Sequence, residues 1–196
     1  MSIPEQLFFA LAVQALSAVT DRIDDNQWDL PADTGMSRGT VRELVVAHAR
    51  DAQWVGHVLA GRTIEDGNKI FPDQPLGDDL KSGWRDIADR AVADAQALDD
   101  PDKIVHLSFS GGEYGEFTAR DYLQQGIAYH GLQAWDLARV LKVDDTLPAD
   151  LVAGMTEVLA PVADQWRELG VFGPAVSVPD DASDQDKLLA LTGRQP

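Results

Sequence analysis

Three short signatures constrain this chain more than anything else in it. Ser2 with Glu5, Thr40 with Glu43 and Thr118 with Asp121 each set a hydroxyl side chain three residues before an acidic one. Such a hydroxyl accepts a free backbone N–H of the first helical turn, and the carboxylate reaches back to the capping residue. Behind each pair, apolar residues recur every three or four positions, the period of one helix face. The spacing predicts helices over 4–24, 41–59, 78–98 and 118–141. A further helix follows Pro148 to Leu169 with a break at Pro161, which lacks an N–H and crowds the turn before it. A short helix is expected over 184–191.

The first stripe is Phe8, Ala12, Leu16, Val19 and Ile23, and the second is Val41, Leu44, Val45, Ala52, Val55 and Leu59. Segment 24–39 is a connection, expected to be pinned by Trp28 and Leu30, and 61–77 reads as a long loop. Over 103–117 the period changes: Val105, Leu107 and Phe109 alternate with Ile104, His106 and Ser108, and Gly111-Gly112 supplies a turn. This predicts a short hairpin with Tyr114 and Phe117 on its return strand. The fold class read from the pattern is all-α: a helical bundle over 1–196 as one domain, with a hairpin insert at about 103–117 and a tail at about 171–196.

Charge narrows the function. The 196 residues hold 33 acidic and 16 basic side chains, a formal charge of −17. A nucleic-acid binder needs a basic face to neutralise phosphates, so DNA and RNA are set aside as partners. Anionic lipid is set aside for the same reason. There is no cysteine, so thiolate nucleophiles, disulfides and thiolate metal sites are excluded. The apolar stretch from Leu7 to Val19 lacks a basic flank and is interrupted by Gln14 and Ser17. It reads as a helix and not as a signal or a membrane span, and the expected location is cytoplasmic.

Two features carry chemistry. His48 falls on the apolar face of the second helix, where it is either a core histidine satisfied by one hydrogen bond or a base in a pocket. His57, half a turn away, is expected to face outward. Tyr129, Gln133 and Asp136 share a face of the helix at 118–141, and Gly126 on that face leaves volume for a cavity. Polar groups there either pair with one another or line a wet pocket. The candidate catalytic residues are His48 as acid or base, Tyr129 as proton donor or oxyanion partner, and Gln133 as orienting amide. Trp54, His130 and Asp136 are the candidate substrate-binding residues. His106 reads as an exposed hairpin residue.

Several segments resemble one family. Thr40-Val41-Arg42-Glu43-Leu44-Val45-Val46-Ala47-His48 resembles the second-helix signature of DinB-like proteins. It is closer still to the actinobacterial branch typified by the N-terminal domain of mycothiol-dependent maleylpyruvate isomerase. Trp135-Asp136-Leu137-Ala138-Arg139 resembles that branch's second signature. Phe172-Gly173-Pro174-Ala175-Val176 and Asp186-Lys187-Leu188-Leu189-Ala190-Leu191-Thr192-Gly193-Arg194 resemble its tail. The resemblance implies an up-down-down-up four-helix bundle. It also implies a divalent metal, zinc or nickel, held by a His of the second helix and by an acidic or His residue and a His of the later one. Relatives use that metal to activate a low-molecular-weight thiol such as mycothiol.

This chain departs from that pattern at the ligands. His48 matches the first, but Tyr129 and Gln133 stand where the other two belong, and both are poor ligands for zinc or nickel. The expectation is therefore a metal-independent enzyme acting on a small molecule by isomerisation, addition or elimination. The alternatives are a metal-dependent mycothiol S-transferase or isomerase, and a non-catalytic bundle that binds a ligand or forms a homodimer.

Overall fold

The computed structural model describes residues 3–34, 38–107 and 116–196. The chain is mostly helical with a small two-stranded antiparallel sheet. α1 spans Pro4–Thr20, α2 Val41–Ala52, α3 Val55–Leu59, α4 Ile64–Asn68 and α5 Leu80–Gln96. β1 (Ile104–Val105) and β2 (Phe117–Thr118) precede α6 at Ala119–Leu141. α7 spans Ala149–Leu159, α8 Ala163–Glu168 and α9 Asp184–Leu191.

Local chemistry sets the starts of these helices. Thr40 Oγ1 accepts the Glu43 N–H at 3.2 Å, and Glu43 Oε2 accepts the Thr40 N–H at 2.8 Å. Thr118 and Asp121 repeat this arrangement at the head of α6, with the same 3.2 and 2.8 Å. The first signature works differently. Ser2 lies outside the described residues, and the Ile3 N–H donates to Gln6 Oε1 at 2.8 Å. Glu5 is instead buried and paired with Arg120 of α6 at 2.8 Å. The Gln6 amide donates to the carbonyls of Ala95, Gln96 and Leu98, so the first turn of α1 closes the last turn of α5.

Other boundaries differ from the sequence pattern for identifiable reasons. α1 stops at Thr20, and Asp21 to Ile23 continue as turns. The helix expected over 41–59 is interrupted where the Trp54 N–H bonds back only three residues, to Asp51. That tightened turn resets the helical phase. His57 is consequently buried, not outward: its Nε2–H donates to the Thr63 carbonyl at 2.8 Å, and its ring meets Trp54 and Phe71 edge-on. Part of the expected loop at 61–77 is the short helix α4. Trp28 is buried as expected, but the Leu30 side chain is exposed. Backbone bonds from Ala32 to Gly39 and from Val41 to Leu30 close that connection instead. The break at Pro161 separates α7 from α8. Ile104 pairs with Thr118 and Val105 with Phe117, while the Gly111-Gly112 turn, Phe109 and Tyr114 lie outside the described residues.

The core forms where α1 lies against α6, α5 and α7. Glycines let it pack closely. A Cβ on Gly126 would stand 2.6 Å from Phe9 Cε2, one on Gly131 would stand 2.6 Å from the Met155 sulfur, and one on Gly154 would run into the Phe8 ring. Phe9 takes the place a Cβ on Gly126 would occupy, and Gly126 also borders a cleft, as the expectation of a cavity there requires.

A buried ion pair ties the tail to this core. Arg194 lies beyond α9 and meets Asp136 of α6 with one edge of its guanidinium: Nε donates to Oδ1 at 3.0 Å and Nη2 to Oδ2 at 2.7 Å. Both side chains are less than one-tenth exposed. Burial pushes the Asp136 carboxyl up, and the Arg194 hydrogen bonds and charge pull it back. Gly193, at φ +82°, supplies the left-handed turn that brings Arg194 inward, and a Cβ there would strike Gly173. Removing one partner leaves the other charge buried and unanswered. Arg194→Ala is therefore expected to lower unfolding free energy in urea by roughly 3–5 kcal/mol. The double change Asp136→Leu with Arg194→Met should recover most of the loss. A cost of Arg194→Ala below about 1 kcal/mol would place the pair among contacts that add nothing.

Candidate active site

α2 and α6 bring the two fully buried histidines together. His48 Nδ1 lies 3.0 Å from His130 Nδ1. Tyr129 stacks on His48 with centroids 4.1 Å apart and planes 26° apart. Phe9 meets His130 edge-on, and Trp84, whose indole N–H donates to Ser17, packs near both histidines.

One side of the pair is reached by a carboxylate. Asp51, on α2 one turn after His48, places Oδ2 3.5 Å from His130 Nε2. That neighbour favours a proton on His130 Nε2, which makes His130 Nδ1 the acceptor and His48 Nδ1–H the donor. His48 Nε2 then carries a buried lone pair that no donor meets. Burial, and secondarily the charge of His130, hold the His48 pKa well below its ordinary value. His48 is therefore neutral at pH 7.

Asp51 and Tyr129 form part of the wall of a cleft of about 980 Å³. Trp54, Phe71, Phe117, Tyr122 and Trp166 add aromatic surface to it. This size suits a small organic molecule. Burial, and then the charge of Asp51, raise the pKa of the Tyr129 phenol, so the hydroxyl stays protonated and can donate. Tyr122 is shifted the same way by the same two causes.

The structure sorts the expected site residues. His48, Tyr129 and His130 come together, and Tyr129 and Trp54 reach the cleft. His48 and His130 do not line it; they stand behind Tyr129 and Asp51. Gln133 closes on Thr34 instead, its Nε2 donating to Thr34 Oγ1 at 2.9 Å, and it is not part of the cleft wall. Asp136 is taken up by Arg194. His106 is exposed and borders the cleft. Asp51 is the residue that sequence reasoning missed. Its spacing of three from His48 puts the two on adjoining parts of one helix face, and that was the available signal.

The donors present do not suit the metal that the family resemblance implies. Among the described residues, no three His, Asp or Glu side chains gather as a ligand set. Asp51 addresses the nitrogen of His130 remote from His48, so the three groups do not converge. The Tyr129 phenol is held protonated and the Gln133 amide is engaged by Thr34.

No protein-family model matches the chain, and searches of curated proteins and of solved structures found no match either.

The state of His48 gives a pH dependence. The unfolded chain takes up a proton near the ordinary pKa of 6.5, whereas folded His48 resists it. Below that pH the unfolded state binds more protons, so stability falls as pH drops through 6.5 towards the depressed folded value. Melting temperatures between pH 7.5 and pH 5 should decline for the wild type and decline less for His48→Gln, about as expected from an ordinary histidine pKa near 6.5. Equal slopes would show that His48 is as easily protonated folded as unfolded.

Proposed function

We propose that this chain is a small-molecule enzyme on a DinB-like four-helix bundle, and that it catalyses a metal-independent isomerisation, elimination or addition by proton transfer. One observation carries the reading: a polar floor of Asp51 and Tyr129, backed by the buried His48–His130 pair, at the edge of an aromatic cleft. Four long helices, α1, α2, α5 and α6, supply the groups around that floor, which supports a bundle of the DinB-like kind.

The chemistry follows from the protonation states. Asp51 takes a proton from a carbon beside a carbonyl of the substrate. The electron pair moves onto the carbonyl oxygen, where the protonated Tyr129 hydroxyl donates a hydrogen bond to the developing charge. Where a double bond adjoins that carbon, return of the proton at the far end of the dienolate completes an isomerisation; where a β-substituent is present, its departure with the bonding pair as the carbonyl re-forms completes an elimination. His130 orients the Asp51 carboxylate from behind, and His48 fixes His130. Both act through other groups and are positioning residues.

The test needs no knowledge of the product. Carbonyl-bearing small molecules are incubated with the protein in D₂O, and loss of C–H signal is followed by proton NMR. Tyr129→Phe and Asp51→Asn should each slow exchange about 100-fold, the usual scale for one acid–base group. Undiminished exchange in both variants would sink the mechanism, as would no exchange from any compound. Protein purified without a polyhistidine tag should carry far less than stoichiometric zinc or nickel by mass spectrometry. Near-stoichiometric metal lost in His48→Ala would replace this reading with the thiol-dependent one.

A further inference from the structure

The ionic groups of the cleft are unevenly matched. Arg50, its one strongly basic lining residue among those described, is already answered: Nη2 meets Asp73 Oδ1 at 3.2 Å and Nε donates to the Asp73 carbonyl. Asp51 has no such partner. One oxygen stands 3.5 Å from His130 Nε2 on the buried side, and no Lys or Arg of the described residues reaches the other. The side chain keeps 43% of its surface exposed. Beside His106, the ionic side chains of the described lining are Arg50, Asp51 and Asp73, and they leave one carboxylate with no Lys or Arg partner.

The rest of the wall suits the same ligand. Trp54 and Phe71 meet at 5.2 Å with their planes tilted by 45° on one side of the cleft, Tyr122 and Tyr129 stand on α6, and Trp166 completes the aromatic lining beyond α7. Aromatic faces attract cations through their quadrupole, most strongly where water is excluded. At the mouth, Leu169 and Val171 are exposed apolar residues, suited to the hydrocarbon part of a ligand and not to a hydrated inorganic ion. The overall charge of −17 adds a long-range field that draws cations in and repels anions.

From these observations we infer that the cleft selects an organic cation, an amine or ammonium compound with an apolar or aromatic body, whose positive centre pairs with Asp51 among the aromatic rings. The inference rests on the proposed function, in that it names the substrate class of the same site. The two fit chemically, because a positive centre acidifies the protons on the atoms beside it. A dianionic keto acid, by contrast, would meet an unanswered carboxylate.

Three probes of one skeleton separate charge from shape: 3-phenylpropylamine, 3-phenylpropan-1-ol and 3-phenylpropanoate. Binding is measured by isothermal titration calorimetry at physiological ionic strength. The ammonium should bind about tenfold or more tighter than the alcohol, and the carboxylate weakest of all. Asp51→Asn should remove the preference for the cation, and Trp54→Ala should weaken it. Asp180→Asn, an exposed tail carboxylate, should leave it unchanged and so excludes general attraction to an acidic surface. Circular dichroism melts confirm that each variant is folded. Equal binding of amine and alcohol, tighter binding of the carboxylate, or cation binding untouched by Asp51→Asn would overturn the inference. These outcomes leave deuterium exchange by Asp51 and Tyr129 intact. Loss of exchange together with retained, Asp51-dependent amine binding would sink the catalytic reading alone. No binding by any of the three probes would overturn the inference as well.

Discussion

The close packing of α1 on α6 is the contact on which the rest of the structure depends. It is possible because glycines stand where aromatic rings must enter. Phe9 occupies the notch at Gly126, and Phe8 does the same at Gly154 of α7. A helix interface gains little from a glycine itself, which costs about 1 kcal/mol of helix propensity relative to alanine. The return is the burial of a whole aromatic side chain, worth about 2–3 kcal/mol. Phe9 also touches the edge of the His130 ring. The same ring that seals the helix pair thus limits the movement of the buried histidine.

Two kinds of buried polarity sit on α6, and they are handled differently. Asp136 is met by a bidentate partner and leaves neither of its carboxylate oxygens unanswered. The His48–His130 pair is incompletely satisfied, since His48 Nε2 has no donor or acceptor and His130 Nε2 has only a carboxylate at 3.5 Å. His48 tolerates this by remaining neutral, which a carboxylate could manage only by taking up a proton. The fully paired end of α6 supports the fold, and the under-paired end lies behind the cleft.

What the sequence made legible was local. The capping pairs at Thr40 and Thr118, the break at Pro161 and the helix at 184–191 all depend on residues within a few positions of one another. His48 was recognisable because a histidine interrupts an otherwise apolar stripe. What stayed hidden was non-local. Asp136 looked like a pocket residue because its partner lies 58 positions further on. That Phe9 packs against Gly126 was hidden because Phe9 is on another helix. His57 was assigned outward by a phase that a single tightened turn at Trp54 had already shifted. Asp51 was passed over in the sequence, and the approach of His130 from α6 sets it apart.

The distance in sequence between Asp136 and Arg194 bears on how the molecule comes into being. A ribosome delivers α6 first, and its buried-to-be carboxylate has no counter-charge until 58 more residues have followed. Growing chains therefore pass through a stage at which most helices are present but the interior cannot yet close without cost. Arg194 is a late stitch of assembly. A nascent or clipped chain lacking it is less a shorter version of the protein than an unfinished one, open to the quality-control machinery that patrols exposed interiors.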